Sequence, residues 1–138
     1  MFVGVHERQL DERGRVALPS AFRGGLGDHC YLFFGDDGCV SLRDEEAFVE
    51  QARELIDQVK RGEASRDRQR AFASSAVEAS IDKQGRITLD PRLREHAGIE
   101  PNAPVMVLGS LDQIEIWEPE AYRASETVGQ NEIASGSR

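Results

Sequence analysis

Along residues 77–89 apolar side chains fall on alternate positions, Val77, Ala79 and Ile81 before a polar break and Ile87 and Leu89 after it. That is strand period on both sides, and the break, Asp82-Lys-Gln-Gly85, has the composition of a type I turn. Asp at the first position caps backbone amides, and Gly takes the positive φ that returns the chain. The pattern occurs twice. Leu10-Asp-Glu-Arg-Gly-Arg-Val-Ala-Leu-Pro19 matches Ile81-Asp-Lys-Gln-Gly-Arg-Ile-Thr-Leu-Asp90 at an offset of 71, and Phe22-Arg23 matches Leu93-Arg94. Further on, at an offset of 74, Gly35, Val40, Leu42, Glu46, Ala47 and Phe48 match Gly109, Ile114, Ile116, Glu120, Ala121 and Tyr122. The chain is an internal repeat. Each unit, of about 45 residues, is near the lower limit for a core of its own, so the two are expected to fold against each other as one pseudo-symmetric body.

Each unit is expected to open with a hairpin on its Asp-x-x-Gly turn. A second hairpin follows, residues 31–34, the turn Gly35-Asp-Asp-Gly38 and residues 39–42, mirrored by 105–108 and 114–117. In that register Cys39 faces Phe34 and Cys30 faces Arg43. The two cysteines then lie about four ladder steps of roughly 3.4 Å apart, beyond disulfide reach, as small buried thiols. Between the hairpins, Pro19 and Pro91 start short helices that Gly24 and Gly98 end. Asp44 caps a longer helix with Phe48, Ala52, Leu55, Ile56 and Val59 on one face and Gly62 at its end, and residues 64–75 form another. Pro119 starts the equivalent helix of the second unit. From about Glu126 the chain turns to Ser, Thr, Gly, Asn and Gln, and residues 126–138 are expected to be a disordered tail. The fold class is therefore α+β, mainly β, with peripheral helices and units at 1–76 and 77–125.

The length of 138 residues suits one domain, and 39 % hydrophobic with 30 % charged residues reads as globular. No run approaches the roughly 20 apolar residues of a membrane helix, and His6, Glu7 and Arg8 stand where a signal peptide would be apolar, so a cytoplasmic protein is expected. A net charge of -8 taken alone argues against a polyanionic partner. The acids are segregated, however. Residues 36–57 hold eight of them against Arg43 and Arg53, and residues 97–138 hold seven against Arg123 and Arg138. The two stretches carrying the repeated turns are each slightly basic, as are residues 58–70.

Catalytic and phosphate-loop signatures are absent, with no G-x-G-x-x-G, Walker loop, G-x-S-x-G or H-E-x-x-H. His6, His29 and His96 are scattered, and His29 and Cys30 with Cys39 lack the paired spacing of zinc ligands, so no metal site, no cofactor and no enzyme activity are expected. Asp11 and Asp82 could in principle share a proton as the acid and base of a hydrolase, if a cleft brought both carboxyls together. Each, however, stands first in a turn whose amides it can cap. Arg15 and Arg86 are not needed by a turn that already has its Asp and Gly. With Arg13 and Lys83 they put cations on both equivalent turns, and a guanidinium on a projecting turn can bond a guanine edge or a phosphate.

The opening Met-Phe-x-Gly, the turn Leu10-Asp-Glu-Arg-Gly-Arg15, then Leu18-Pro19 and Phe22-Arg23, and the second turn Asp82-Lys-Gln-Gly-Arg86 closely resemble the MraZ family, from Met1 to about Arg123. Arg13 stands where that family often has Lys, which keeps the charge. The resemblance implies two SpoVT-AbrB type domains interleaved in a swapped-hairpin barrel with pseudo-twofold symmetry, assembled as a homo-oligomeric ring. It implies a nucleoid-associated transcriptional regulator that binds direct repeats of double-stranded DNA in the promoter of a division and cell-wall gene cluster containing its own gene. It further implies that Arg13, Arg15, Lys83 and Arg86 make the contact on turns built by Asp11, Gly14, Asp82 and Gly85. A ring could gather weakly basic turns on one face and leave the acids on the other. A structural ring that binds protein through its acidic helices is the other non-enzymatic reading, and it would leave those turns idle.

Overall fold

The computed structural model describes residues 1–136, which hold eight strands and five α-helices. Strands β1 (Val5–Gln9), β2 (Arg15–Ala17), β3 (Cys30–Phe34) and β4 (Val40–Asp44) come from the first unit. Strands β5 (Val77–Ala79), β6 (Arg86–Thr88), β7 (Pro104–Gly109) and β8 (Ile114–Trp117) come from the second. Six of them form one antiparallel sheet in the order β1-β7-β8-β4-β3-β5, and β2 pairs with β6 as a separate ribbon. Exchanging the two units turns that order into its own reverse, so the repeat in the sequence is a pseudo-twofold in space. The expected α+β class is what the chain adopts, with the antiparallel strands at its centre and the helices around them.

The first hairpin of each unit closes only at its turn, which corrects the expectation of two laddered arms. Asp11 N–H donates to the Arg15 carbonyl at 2.9 Å, and Asp82 N–H to the Arg86 carbonyl at 3.0 Å. Beyond those bonds the arms part. β1 pairs with β7, β5 with β3, and β2 with β6, each across the units. Alternating apolar residues satisfy any antiparallel partner, and exchange places the buried sides of both units over one core. Val16, Leu18 and Phe22 meet their counterparts Ile87, Leu89 and Leu93 there, none more than 3 % exposed. Burying each such side chain favours folding by about 1.5 to 3 kcal/mol.

The second hairpins, β3 with β4 and β7 with β8, form as expected, but the first is shifted by one residue from the expected register. Phe34 pairs with Val40 and Cys30 with Asp44, so Cys39 does not face Phe34 nor Cys30 Arg43. Asp37 takes φ 64° and Gly38 φ 80°, which reverses the chain within three residues and lets Gly35 N–H donate to the Cys39 carbonyl at 2.8 Å. Both cysteines are buried free thiols, and desolvation, the largest cause, pushes the Cys39 thiol up to about 12.

Helix α1 (Ser20–Arg23) has Pro19 at its N-cap position, one position before the place expected for that proline, with no side-chain cap. Helix α2 (Glu45–Lys60) starts at Asp44, whose Oδ1 accepts from Ala47 N–H at 2.8 Å, and Glu45 and Glu46 favour the positive end of its dipole. Helix α3 (Arg66–Ser75) starts at Ser65. The two clamp β3 through rings: Phe48 stacks on Tyr31 at 4.5 Å, and Phe72 meets Phe33 at 5.1 Å. Ile56, expected on the buried face of α2, is exposed, one residue past the face that buries Leu55. Helix α4 (Pro91–Ala97) is capped by Asp90 and ended by left-handed Gly98.

The expected disordered tail is instead the continuation of helix α5 (Pro119–Ser135), ended by left-handed Gly136, while residues 137–138 lie outside the described residues. Both oxygens of Glu118 cap its first turn, and Tyr122 donates to Glu126 one turn on. Most of its second half faces solvent, so the helix stands on caps and local bonds, with no apolar stripe for a pattern to reveal.

Candidate nucleic-acid interface

The β2-β6 ribbon fixes where the repeated cations stand. Val16 pairs with Ile87 and points inward, whereas Arg15 opposite Thr88, and Ala17 opposite Arg86, lie on the outer side. Arg15 and Arg86 are therefore diagonal neighbours on one face, within reach of each other's long side chains. The turns that precede β2 and β6 carry Arg13 and Lys83, both exposed and without an ion pair among the described residues.

Each turn is built by its aspartate. Asp11 Oδ1 accepts from Arg13 N–H at 2.9 Å and Arg15 N–H at 2.8 Å, and Oδ2 accepts from Arg15 Nε at 2.7 Å. Asp82 repeats the arrangement with Gln84 N–H, Arg86 N–H and Arg86 Nε, all at 2.9 Å. The bond from the Arg15 amide, opposed by partial desolvation and helped by the Arg15 guanidinium and the Arg13 amide, holds the Asp11 carboxyl below its ordinary value. The amide of Arg86 does the same first for Asp82, followed by its guanidinium and the Gln84 amide.

These bonds dispose of the acid and base pair. Each carboxylate is spent within its own turn, and both are lowered, whereas a shared proton would raise one of them. The same bonds give Arg15 and Arg86 a structural partner that the sequence did not disclose. Only Nε is used in each case, so the terminal nitrogens of both guanidinium groups have no partner among the described residues. The bond to Nε fixes the plane of the fork and aims its free edge.

Gly14 and Gly85 both take φ 78° and both are buried. What buries them is an arginine of the opposite unit. The Arg94 guanidinium lies where a Gly14 Cβ would be, and that of Arg23 where a Gly85 Cβ would be. Sequence reasoning gave these two arginines no role. The signal was the recurrence of Phe22-Arg23 as Leu93-Arg94, which was visible without a physical use for it.

The other basic stretch is largely neutralised by acids within it and beside it. Arg61 pairs with Glu54 and Glu63, Arg68 with Asp36 and Arg70 with Asp67, at 2.6 to 3.2 Å. The histidines are in packing or surface roles: His6 meets Phe22 edge-on, His96 stacks on Phe34 at 4.3 Å, and exposed His29 bonds Glu78. Among the described residues no three His, Cys, Asp or Glu could together hold a metal ion, and no helix is long and apolar enough to cross a membrane.

A family model described as "MraZ protein, putative antitoxin-like" matches residues 1–71 and again 72–133. A protein of Lachnoclostridium phytofermentans named transcriptional regulator MraZ is 36 % identical over 137 residues, covering 97 % of this chain and 93 % of that protein. One of the same name from Cutibacterium acnes is 37 % identical over 118 residues, 86 % and 82 % of the two chains. One from Pelotomaculum thermopropionicum is 38 % identical over 140 residues, 97 % and 93 %.

Proposed function

Since the chain belongs to the MraZ family, we propose that it is a cytoplasmic, nucleoid-associated transcriptional regulator that binds double-stranded DNA through the β2-β6 ribbon. The observation that carries this reading is the outer face of that ribbon, where Arg15 and Arg86 are diagonal neighbours whose terminal nitrogens have no partner among the described residues, flanked by Arg13 and Lys83, which make no ion pair among those residues. A two-stranded ribbon fits a major groove about 12 Å wide, and a guanidinium can there bond guanine O6 and N7 together. In this reading Arg13 and Lys83, at the turns, contact phosphates.

In this reading residues 1–76 and 77–125 are the two SpoVT-AbrB-like units, and neither a metal nor a cofactor takes part. A chain with a net charge of -8 binds DNA feebly as a single copy. A closed ring of copies would bring several ribbons to evenly spaced direct repeats and raise avidity by about a hundredfold or more. The DNA is the promoter of the gene cluster that holds its own gene. Footprinting the full chain on the DNA upstream of that gene is expected to protect short repeats at constant spacing. Equal protection of that DNA and of random sequence, or none of either, would overturn the reading. Sedimentation at micromolar concentration is expected to show a closed oligomer, and a monomer alone would remove the ring from it.

A further inference from the structure

We propose that Arg23 and Arg94 are positioning residues, each locking the cationic turn of the opposite unit. The proposal rests on the reading above for its effect on DNA, and on geometry alone for the lock itself.

The backbone half of the lock is the same on both sides, and the side-chain half is stronger over Gly14 than over Gly85. The Gly14 carbonyl accepts from Leu89 N–H at 2.8 Å, and the Gly85 carbonyl accepts from Leu18 N–H at 2.9 Å, so each turn is bonded to the other unit's strand. Arg94, on α4, donates from Nη1 to the Leu89 carbonyl at 2.7 Å while its guanidinium covers Gly14. Leu89 is thus held by Arg94 on its carbonyl and by Gly14 on its amide. Arg23, on α1, covers Gly85, its Cζ 2.8 Å and Cδ 3.1 Å from the point a Gly85 Cβ would occupy. A flat guanidinium can lie on a glycine backbone where any side chain on that glycine would exclude it. Glycine is therefore demanded twice in each turn, by its positive φ and by the arginine that rests on it. Gly14 sits directly before Arg15, and Gly85 directly before Arg86. Whatever fixes the glycine peptide fixes the origin of the DNA-facing guanidinium, and that fixing comes from across the pseudo-twofold.

The test uses the full chain, with Arg94→Met and Arg23→Met, each keeping an unbranched apolar stem. Hydrogen exchange is read at the turn amides of residues 13–15 and 84–86. Arg94→Met is expected to speed exchange about tenfold at 13–15, far away in sequence, and to leave 84–86 and the strands of the large sheet at wild-type rates. Arg23→Met is expected to do the reverse, and Arg94→Lys to restore part of the protection. Unchanged exchange at 13–15 in Arg94→Met, or equal acceleration everywhere, would overturn the lock.

Binding is read on the upstream DNA of its own gene and on a random duplex at several salt concentrations. Arg94→Met is expected to lower affinity for the upstream DNA about tenfold with the salt slope unchanged, because a positioning residue releases no counterions. A slope flattened by about one ion would make Arg94 a phosphate contact and overturn the positioning role. If the wild-type chain binds neither DNA while the exchange results hold, the lock stands and the DNA reading falls.

Discussion

In the turn at residues 11–15 and the turn at residues 82–86, aspartate, glycine and arginine occupy equivalent places and make the same bonds to within 0.2 Å. Between the aspartate and the glycine the two part company. The first turn has Glu12 and Arg13, the second Lys83 and Gln84. The first carries two acids against two arginines, while the second carries one acid against Lys83 and Arg86. They also differ in what holds them: half-buried Arg94 is bonded to a carbonyl over Gly14, whereas Arg23 over Gly85 is exposed and has no such bond. The residues shared by the turns are those that shape the backbone, and the residues that vary are those that set the field. The first turn is the more firmly held and the second is the more attractive to a polyanion.

The largest effects are expected from the glycines, and they should be unequal. Gly14→Val combines a β-branched residue at positive φ with a Cβ at 2.8 Å from the Leu89 carbonyl, part of the backbone. Strain of a few kcal/mol is expected to lower Tm by about 10 °C or more. At Gly85 the three nearest atoms to an added Cβ all belong to the Arg23 side chain, which can swing away, so the loss from Gly85→Val should be smaller. Thermal melting of both variants measures the difference, and equal losses would mean that backbone φ alone decides.

Next in size are Arg15→Ala and Arg86→Ala. Each is expected to weaken binding to the upstream DNA by about 1 to 3 kcal/mol if it reads guanine, with much less loss on random DNA. If either touches phosphate instead, the loss falls on both DNAs and the salt slope flattens by about one ion. Each variant should also melt slightly earlier, since it gives up the Nε bond to its aspartate, but by less than Gly14→Val.

A smaller effect is expected with acid. Because the folded-state values of Asp11 and Asp82 lie below the ordinary 3.8, their contribution to stability is complete above that value and is lost as pH falls through the lowered one. Melting from pH 5 down to pH 2 should show a fall that Asp11→Asn with Asp82→Asn flattens. The smallest effect concerns charge alone. Glu12→Lys, on an exposed turn position, should raise affinity for random DNA about threefold and steepen its salt dependence, taking the first turn from no net charge past that of the second.

Much of this arrangement was legible in the sequence, and what was not had a physical reason. The repeat, the two Asp-Gly turns, the second hairpins and the caps at Asp44 and Asp90 follow from local chemistry, which a single chain displays. The exchange of β1, β2, β5 and β6 between units does not, because period-2 alternation says which side of a strand is buried and nothing about which strand lies beside it. The one-residue register error arose at Asp37, a non-glycine residue with φ 64°. Helix α5 beyond Glu126 lacks an apolar stripe, so composition misled where capping and i,i+4 bonds decide. At the candidate site, the cations were visible as repeated exposed charge. Their aim was not, since it comes from the Nε bonds to Asp11 and Asp82 and from arginines of the opposite unit.

The central claim is that the outer face of the β2-β6 ribbon is the DNA-binding surface. It is tested most directly by titrating the wild-type chain and the Arg15→Ala/Arg86→Ala double variant against the upstream DNA and a random duplex at two salt concentrations, with the oligomeric state of both checked by sedimentation. The expected result is specific, salt-sensitive binding by the wild type and none by a double variant that keeps the same oligomer. Wild-type affinity and specificity retained in the double variant would contradict the claim and move attention to the exposed cations Lys60 and Arg66.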